Sequence, residues 1–221
     1  MTHTAWFFDM DGTLFDSMPA HAQAWEETML RHGLHFTQQD CYLGEGRRGE
    51  DVIRECIEQQ QHRTPSQEEI DRIYREKSER FMRFPQPPPI EGVANLLRYL
   101  IRHDKQLWIV TGSAQQSLFD RLELCFPSTF RREKMITASD VKHGKPLPDP
   151  YLAAWQRSGW KKEQCCVVEN APLGVQSAKA AGLFTIAVNT GPLDKQCMVE
   201  AGADQVFDSM PQLLHHLAQQ N

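Results

Sequence analysis

Two kinds of hydrophobic pattern divide the chain. Short apolar runs bounded by polar turns stand at 5–8, 106–110, 135–137, 165–168, 184–188 and 205–207, and their length predicts strands. From residue 92 onward, amphipathic stretches at 92–103, 115–124, 150–158, 173–181, 195–201 and 211–218 alternate with those runs. Strand and helix taking turns predict a parallel sheet with helices on both faces. The interval after the first strand is different. It carries helical periodicity at 19–31, 38–42, 50–61 and 66–83, with no strand signal between them. Ser66 and Glu69 have the spacing of a capping box, and Pro85-Gln86-Pro87-Pro88-Pro89 cannot continue a helix. The expected architecture is α/β, a Rossmann-like parallel sheet core formed by 1–16 and 86–221, interrupted by an inserted all-helical domain over 17–85.

The polar residues at the exits of the predicted strands carry the candidate chemistry. The first strand runs into Asp9-Met10-Asp11-Gly12-Thr13. Two acids one residue apart at the end of a buried strand aim the same way and suit a divalent cation. The second strand runs into Thr111-Gly112-Ser113, a hydroxyl and backbone N–H groups suited to phosphate oxygens, with Ser113 also a good helix N-cap. Lys145 precedes Pro146, which restricts it to extended conformations and holds its backbone in place. The strand at 165–168 leads to Glu169-Asn170, within reach of a cation held by the first strand.

These four motifs, in this order, resemble the haloacid dehalogenase superfamily, in its β-phosphoglucomutase-like branch with a helical cap. The resemblance implies Asp9 as the nucleophile that forms an aspartyl-phosphate and Asp11 as acid and base. It implies Thr111, with Gly112 and Ser113, as the phosphate binder and Lys145 as the cation that neutralises nucleophile and phosphoryl group. Mg²⁺ would be held by Asp9, Asp11 and Asn170, with Glu169 orienting Lys145 or a metal-bound water. Many relatives have Asp where Asn170 stands, so an amide oxygen must substitute for a carboxylate. The cap would choose the substrate through His21, Glu45, Arg47 and Lys77, with hinges near 15–18 and 84–89. His21 matches a histidine that assists Asp11, and Arg47 sits in the glycine-rich loop 44–49, placed to meet a second anionic group. Glu45 either salt-bridges Arg47 or Arg48 or marks the bacterial relatives that hydrolyse inorganic pyrophosphate.

Composition narrows the classes. A net charge of −5 with interspersed signs gives no nucleic-acid surface, and no apolar run approaches the roughly 20 residues that cross a bilayer. The N-terminus lacks a signal-peptide pattern, and six scattered cysteines have neither disulfide-framework nor metal spacing. The expectation is a monomeric cytoplasmic phosphohydrolase, with no nucleic-acid or membrane partner, acting on a sugar phosphate or pyrophosphate. A phosphohexomutase is the enzymatic alternative, and a catalytically idle phosphate-binding module the non-enzymatic one.

Overall fold

A computed structural model describes residues 3–113 and 116–220. Six strands, β1 (Ala5–Phe8), β2 (Gln106–Val110), β3 (Met135–Ile136), β4 (Cys165–Glu169), β5 (Phe184–Val188) and β6 (Gln205–Phe207), form one sheet in the order β3-β2-β1-β4-β5-β6. All five strand pairings are parallel. The chain therefore winds outward in both directions from β1. In such sheets the crevice beyond the carboxyl ends of the central strands is where ligands bind.

Between β1 and β2 lie four helices, α1 (Met18–Arg31), α2 (Gln38–Leu43), α3 (Gly49–Gln61) and α4 (Gln67–Phe81). They share a hydrophobic cluster of their own. Met18, Ala22, Trp25 and Met29, one face of α1, pack with Cys41 of α2, Val52, Ile53 and Ile57 of α3, and Ile70 and Ile73 of α4. Local signals start these helices. Pro19 opens α1, and Thr37 and Asp40 close a capping box on α2. The box expected at α4 forms by half: Ser66 accepts the Glu69 N–H at 3.2 Å, but the Glu69 carboxylate is taken by the Arg63 guanidinium at 2.7 Å. A bidentate charged pair outcompetes a neutral backbone donor.

Helices α5 (Val93–Arg102), α6 (Gln116–Cys125), α7 (Asp149–Ser158), α8 (Pro172–Ala180), α9 (Gln196–Glu200) and α10 (Met210–Gln219) complete the alternation. The expected start of α6 at Gln115 lies outside the described residues. Side chains of a strand point alternately to the two faces, and here both are covered. Trp6, Phe8, Ile109, Cys166, Val168 and Ile186 meet α5 and α10 on one side, whereas Phe7, Trp108, Val110, Cys165 and Val167 meet α7 and α8 on the other. The neighbours Cys165 and Cys166 thus belong to opposite cores, and all six cysteines are free. Among the described residues, no helix is long and apolar enough to cross a membrane.

The two chain passages between the four helices and the sheet run side by side. Asp16 N–H donates to Pro88 O and Ile90 N–H to Leu14 O, each at 2.9 Å. Because the helical cluster and the sheet cores are separate, Ile53→Ala, which hollows a fully buried site, is expected to cost about 2–5 kcal/mol. Hydrogen exchange measured by mass spectrometry is expected to accelerate in α1 to α4 ahead of the sheet. Equal acceleration in both would contradict two separate cores.

Candidate active site

The carboxyl edge of the sheet concentrates the polar groups that its strands deliver. Asp9 follows β1 directly and extends its ladder, its N–H donating to Val168 O at 3.1 Å. Beside it, Lys145 is buried to 3 % exposure. All three of its N–H bonds are used: Nζ donates to Asp9 Oδ1 at 2.5 Å, to Glu169 Oε1 at 2.6 Å and to Val110 O at 3.2 Å. Burial opposes the ammonium charge, but the two carboxylates outweigh it and raise the Lys145 pKa. The lysine is a fixed positive charge.

Glu169, at the end of β4, is held as firmly. Its Oε1 also accepts from the Tyr151 hydroxyl at 2.7 Å, and its Oε2 from the N–H groups of Asn170 at 3.0 Å and Ala171 at 3.3 Å. Ala171 opens α8, so the carboxylate sits on a helix N-terminus where the dipole favours it. Gly174 makes the room. A Cβ there would lie 1.9 Å from Glu169 Oε1.

Asp11 faces the helical side. Ser17 Oγ donates to its Oδ1 at 2.6 Å, and His21 Nε2 stands 3.3 Å from the same oxygen. Lys77 Nζ lies 2.6 Å from His21 Nδ1. An ammonium donating to Nδ1 makes that nitrogen the acceptor, which leaves the Nε2 hydrogen directed at Asp11. Burial alone would raise the Asp11 carboxyl, but His21, then Ser17 and Lys77, outweigh it and hold it below the ordinary value. Burial, with the Lys77 charge, pushes His21 down in turn. Lys77, between the rings of Trp25 and Phe81, is lowered to about 8 mainly by burial.

A cavity of about 110 Å³ joins the two sides, lined by Asp9, Asp11, Thr111, Gly112 and Ser113 from the sheet and by His21, Glu45, Arg47 and Lys77 from the helices. The site residues expected from sequence thus converge: Lys145 and Asn170 bond to the lining residues Asp9 and Glu45, and Glu169 bonds to Lys145 and Asn170 in turn. Thr111 is 3 % exposed, and its Oγ1 accepts from Ser113 N–H at 3.0 Å, which leaves its hydroxyl proton to donate elsewhere. One expectation needs correction. Glu45 pairs with neither arginine: its Oε1 accepts from Asn170 Nδ2 at 2.7 Å, while Arg47 binds Glu55 at 2.7 Å and Arg48 binds Glu50 at 3.2 Å. The buried amide is the nearer donor. Arg47 reaches the cavity with its guanidinium already engaged by that acid. The Asn170 amide oxygen accepts the Thr13 hydroxyl at 2.7 Å. Gly12, at φ 75°, permits these contacts, since a Cβ there would strike Asn170 Nδ2 at 2.1 Å and Glu45 Oε1 at 2.6 Å. Sequence reasoning missed Tyr151, Ser17 and Thr13 as partners. Thr13 lies in the first motif and Ser17 just beyond it, whereas Tyr151 carries no local signal.

The charges present suit a cation. Asp9, Glu45 and Glu169 are buried and Asp11 nearly so, yet the Lys145 ammonium reaches only Asp9 and Glu169 among them. Burial first, and then Glu169 and Asp11 against the opposing Lys145, pushes the Asp9 carboxyl up to about 8. Burial and the same acids raise Glu45 well above its ordinary value. Among the described residues no three His, Cys, Asp or Glu side chains form a ready metal cluster. Two carboxylates and an amide oxygen are nevertheless the sparse, all-oxygen donor set that Mg²⁺ accepts while keeping waters.

Residues 6–188 match the model of the haloacid dehalogenase-like hydrolases. Hexitol phosphatase A of Escherichia coli (strain K12) is 32% identical over 209 residues, spanning 93% of this chain and 91% of that protein. Fructose-1-phosphate phosphatase YqaB of the same organism is 30% identical over 185 residues, 82% of this chain and 94% of that one. The solved structure described as "Putative beta-phosphoglucomutase from Bacteroides vulgatus" superposes with a TM-score of 0.94 at 41% identity, covering 98% of this chain and 88% of the other. A sheet edge that sets Asp9 and Thr111 on one cavity, with Lys145 hydrogen-bonded to Asp9 and Glu169 to Lys145 behind them, matched over nearly the whole length by such relatives, places the chain in the haloacid dehalogenase-like hydrolase family, among its phosphatases.

Proposed function

We propose that the protein is a Mg²⁺-dependent phosphohydrolase that forms an aspartyl-phosphate on Asp9 and acts on a small phosphorylated metabolite, a sugar phosphate in the first place. The observation that carries this reading is the locking of Lys145 between Asp9 and Glu169 by all three of its N–H bonds. A carboxylate is a weak nucleophile, and phosphoryl transfer to it depends on positioning and on neutralised charge. The substrate preference is taken from the E. coli relatives, whose names carry a hexitol phosphatase and a fructose-1-phosphate phosphatase.

In this reading Asp9 attacks phosphorus in line while Asp11 gives its proton to the departing oxygen. Asp11 then takes a proton from water, which cleaves the aspartyl-phosphate and releases inorganic phosphate. The two steps need opposite protonation states of Asp11. His21 and Ser17 favour the ionised state that serves the second, and an incoming phosphate dianion raises proton affinity for the first. Thr111 and the 112–113 backbone would hold the phosphoryl oxygens. Asp9, Asp11 and Asn170 would hold Mg²⁺, which when bound supplies positive charge against those oxygens. Residues 17–85 serve as a cap over the core of 1–16 and 86–221, with the paired passages near residues 15 and 89 as hinges. Closure excludes water from the phosphoryl group. Free thiols throughout agree with a cytoplasmic setting.

A second substrate, pyrophosphate, is suggested by the Glu45-Gly46-Arg47 loop and Asn170, which resemble the relatives that hydrolyse it. Glu45 lines the cavity from the helical side, where its acid would need a cation between it and an anionic leaving group. A Mg²⁺-dependent panel of hexose and pentose phosphates and pyrophosphate separates the readings. Phosphate release from sugar phosphates is expected, selective release from pyrophosphate transfers the assignment to the second, and isomerised product without release assigns a mutase. Asp9→Asn is expected to lower turnover about a thousandfold or more, and substantial retained turnover would reject Asp9 as nucleophile.

The charge excess has its own test. Asp9 is raised to about 8 from 3.8, so the folded state binds the extra proton between those values and stability falls as pH rises through that window. In metal-free protein, the stabilisation of Asp9→Asn over wild type, measured by denaturant titration, is expected to grow from pH 4 to pH 8 and to shrink when Mg²⁺ is added. A pH-independent difference, or one that Mg²⁺ leaves unchanged, would contradict the proposed cation.

A further inference from the structure

Two adjacent arginines in the 44–49 loop go separate ways. Arg47 lines the cavity, and Arg48 does not. Its Nη1 instead donates to the backbone carbonyl of Lys142 at 2.7 Å, while Nη2 reaches Glu50 Oε2 at 3.2 Å. Its aliphatic stem lies on Gly144, where a Cβ would sit 2.6 Å from Arg48 Cγ. Lys142 and Gly144 belong to the turn that delivers Lys145. The same loop touches that turn's product from above: a Cβ on Gly46 would lie 2.9 Å from Lys145 Cδ, and one on Gly112 would lie 2.9 Å from Gly46 O. Gly46 therefore presses on the lysine side chain and Arg48 holds the backbone behind it. One short segment of the helical domain grips the catalytic cation at both ends.

We propose that Arg48 is a positioning residue that ties closure of the helical domain to the placement of Lys145, resting on the reading that Lys145 neutralises Asp9 and the transferring phosphoryl group. Its guanidinium is partly exposed, and the carbonyl it binds belongs to an exposed residue, so water can replace the contact when the domains part. The contact is thus reversible and adds little to the stability of either part. It biases the closed state, in which Lys145 is held. Because Arg48 stands outside the cavity, its effect is blind to the leaving group. A residue that reads the leaving group behaves otherwise, changing its contribution from one substrate to the next.

The test is steady-state kinetics on the full-length enzyme with Mg²⁺ and a panel of phosphate monoesters and pyrophosphate. Arg48→Met keeps the stem and removes the donors. It is expected to lower kcat/KM about tenfold, the loss of one charged hydrogen bond, by the same factor for every substrate and with an unchanged melting temperature. Arg48→Lys restores part of the loss. Gly144→Ala, which displaces the Arg48 stem from the opposite side, is expected to reproduce the defect, and adding Arg48→Met to it to cost little more. Wild-type kinetics in Arg48→Met, a factor that varies with the leaving group, or a loss that tracks a lowered melting temperature would each overturn the proposal. Turnover of no substrate by the wild-type enzyme would overturn the phosphohydrolase reading and this inference with it.

Discussion

The contact on which the site depends is the buried ammonium of Lys145 between Asp9 and Glu169. An ion pair taken out of water is costly unless its geometry is good and its remaining donors are satisfied. Here each N–H of Lys145 has an acceptor, and Glu169 is itself fixed by Tyr151, two backbone amides and the start of α8. The strand order brings β1 and β4 side by side, so the two carboxylates arrive on adjacent ladders. The fold thus presents Asp9 already oriented, and removal of Lys145 would leave two buried acids facing each other without their ammonium.

The second constraint is the excess of acid. Sheet and helices each contribute carboxylates to one small volume, and glycines let them approach: Gly12 beneath Asn170 and Glu45, Gly46 against Gly112, Gly174 behind Glu169. Asn170 has an evident part in this. Its amide donates to Glu45 and accepts from Thr13, whereas a carboxylate at the same place would face Glu45 as a second acid. A neutral amide at 170 therefore permits an acid from the helical side.

Much of this was legible in the sequence. All six strands follow the apolar runs, the helices start within one or two residues of their signals, and the proline run does end the helical segment. The four motif residues declare themselves because strand ends in such sheets are where chemistry sits. What stayed hidden is long-range. Glu45 meets Asn170 across 125 positions and Arg48 meets Lys142 across 94, and nothing local distinguishes these partners from the nearer arginines and acids. Tyr151 is a helical tyrosine like any other until the fold sets it under Glu169. The salt-bridge alternative for Glu45 fails for the same reason, since burial and not sequence proximity selects its partner.

The central claim is that Asp9, held by Lys145, accepts the phosphoryl group. The direct measurement is to mix enzyme, Mg²⁺ and a hydrolysed substrate, quench during turnover, reduce the acyl phosphate with borohydride and locate the modified residue by peptide mass spectrometry. Reduction of Asp9 to homoserine is the predicted result. Phosphate release with Asp9 unmodified throughout, or with the modification on another residue, would contradict it.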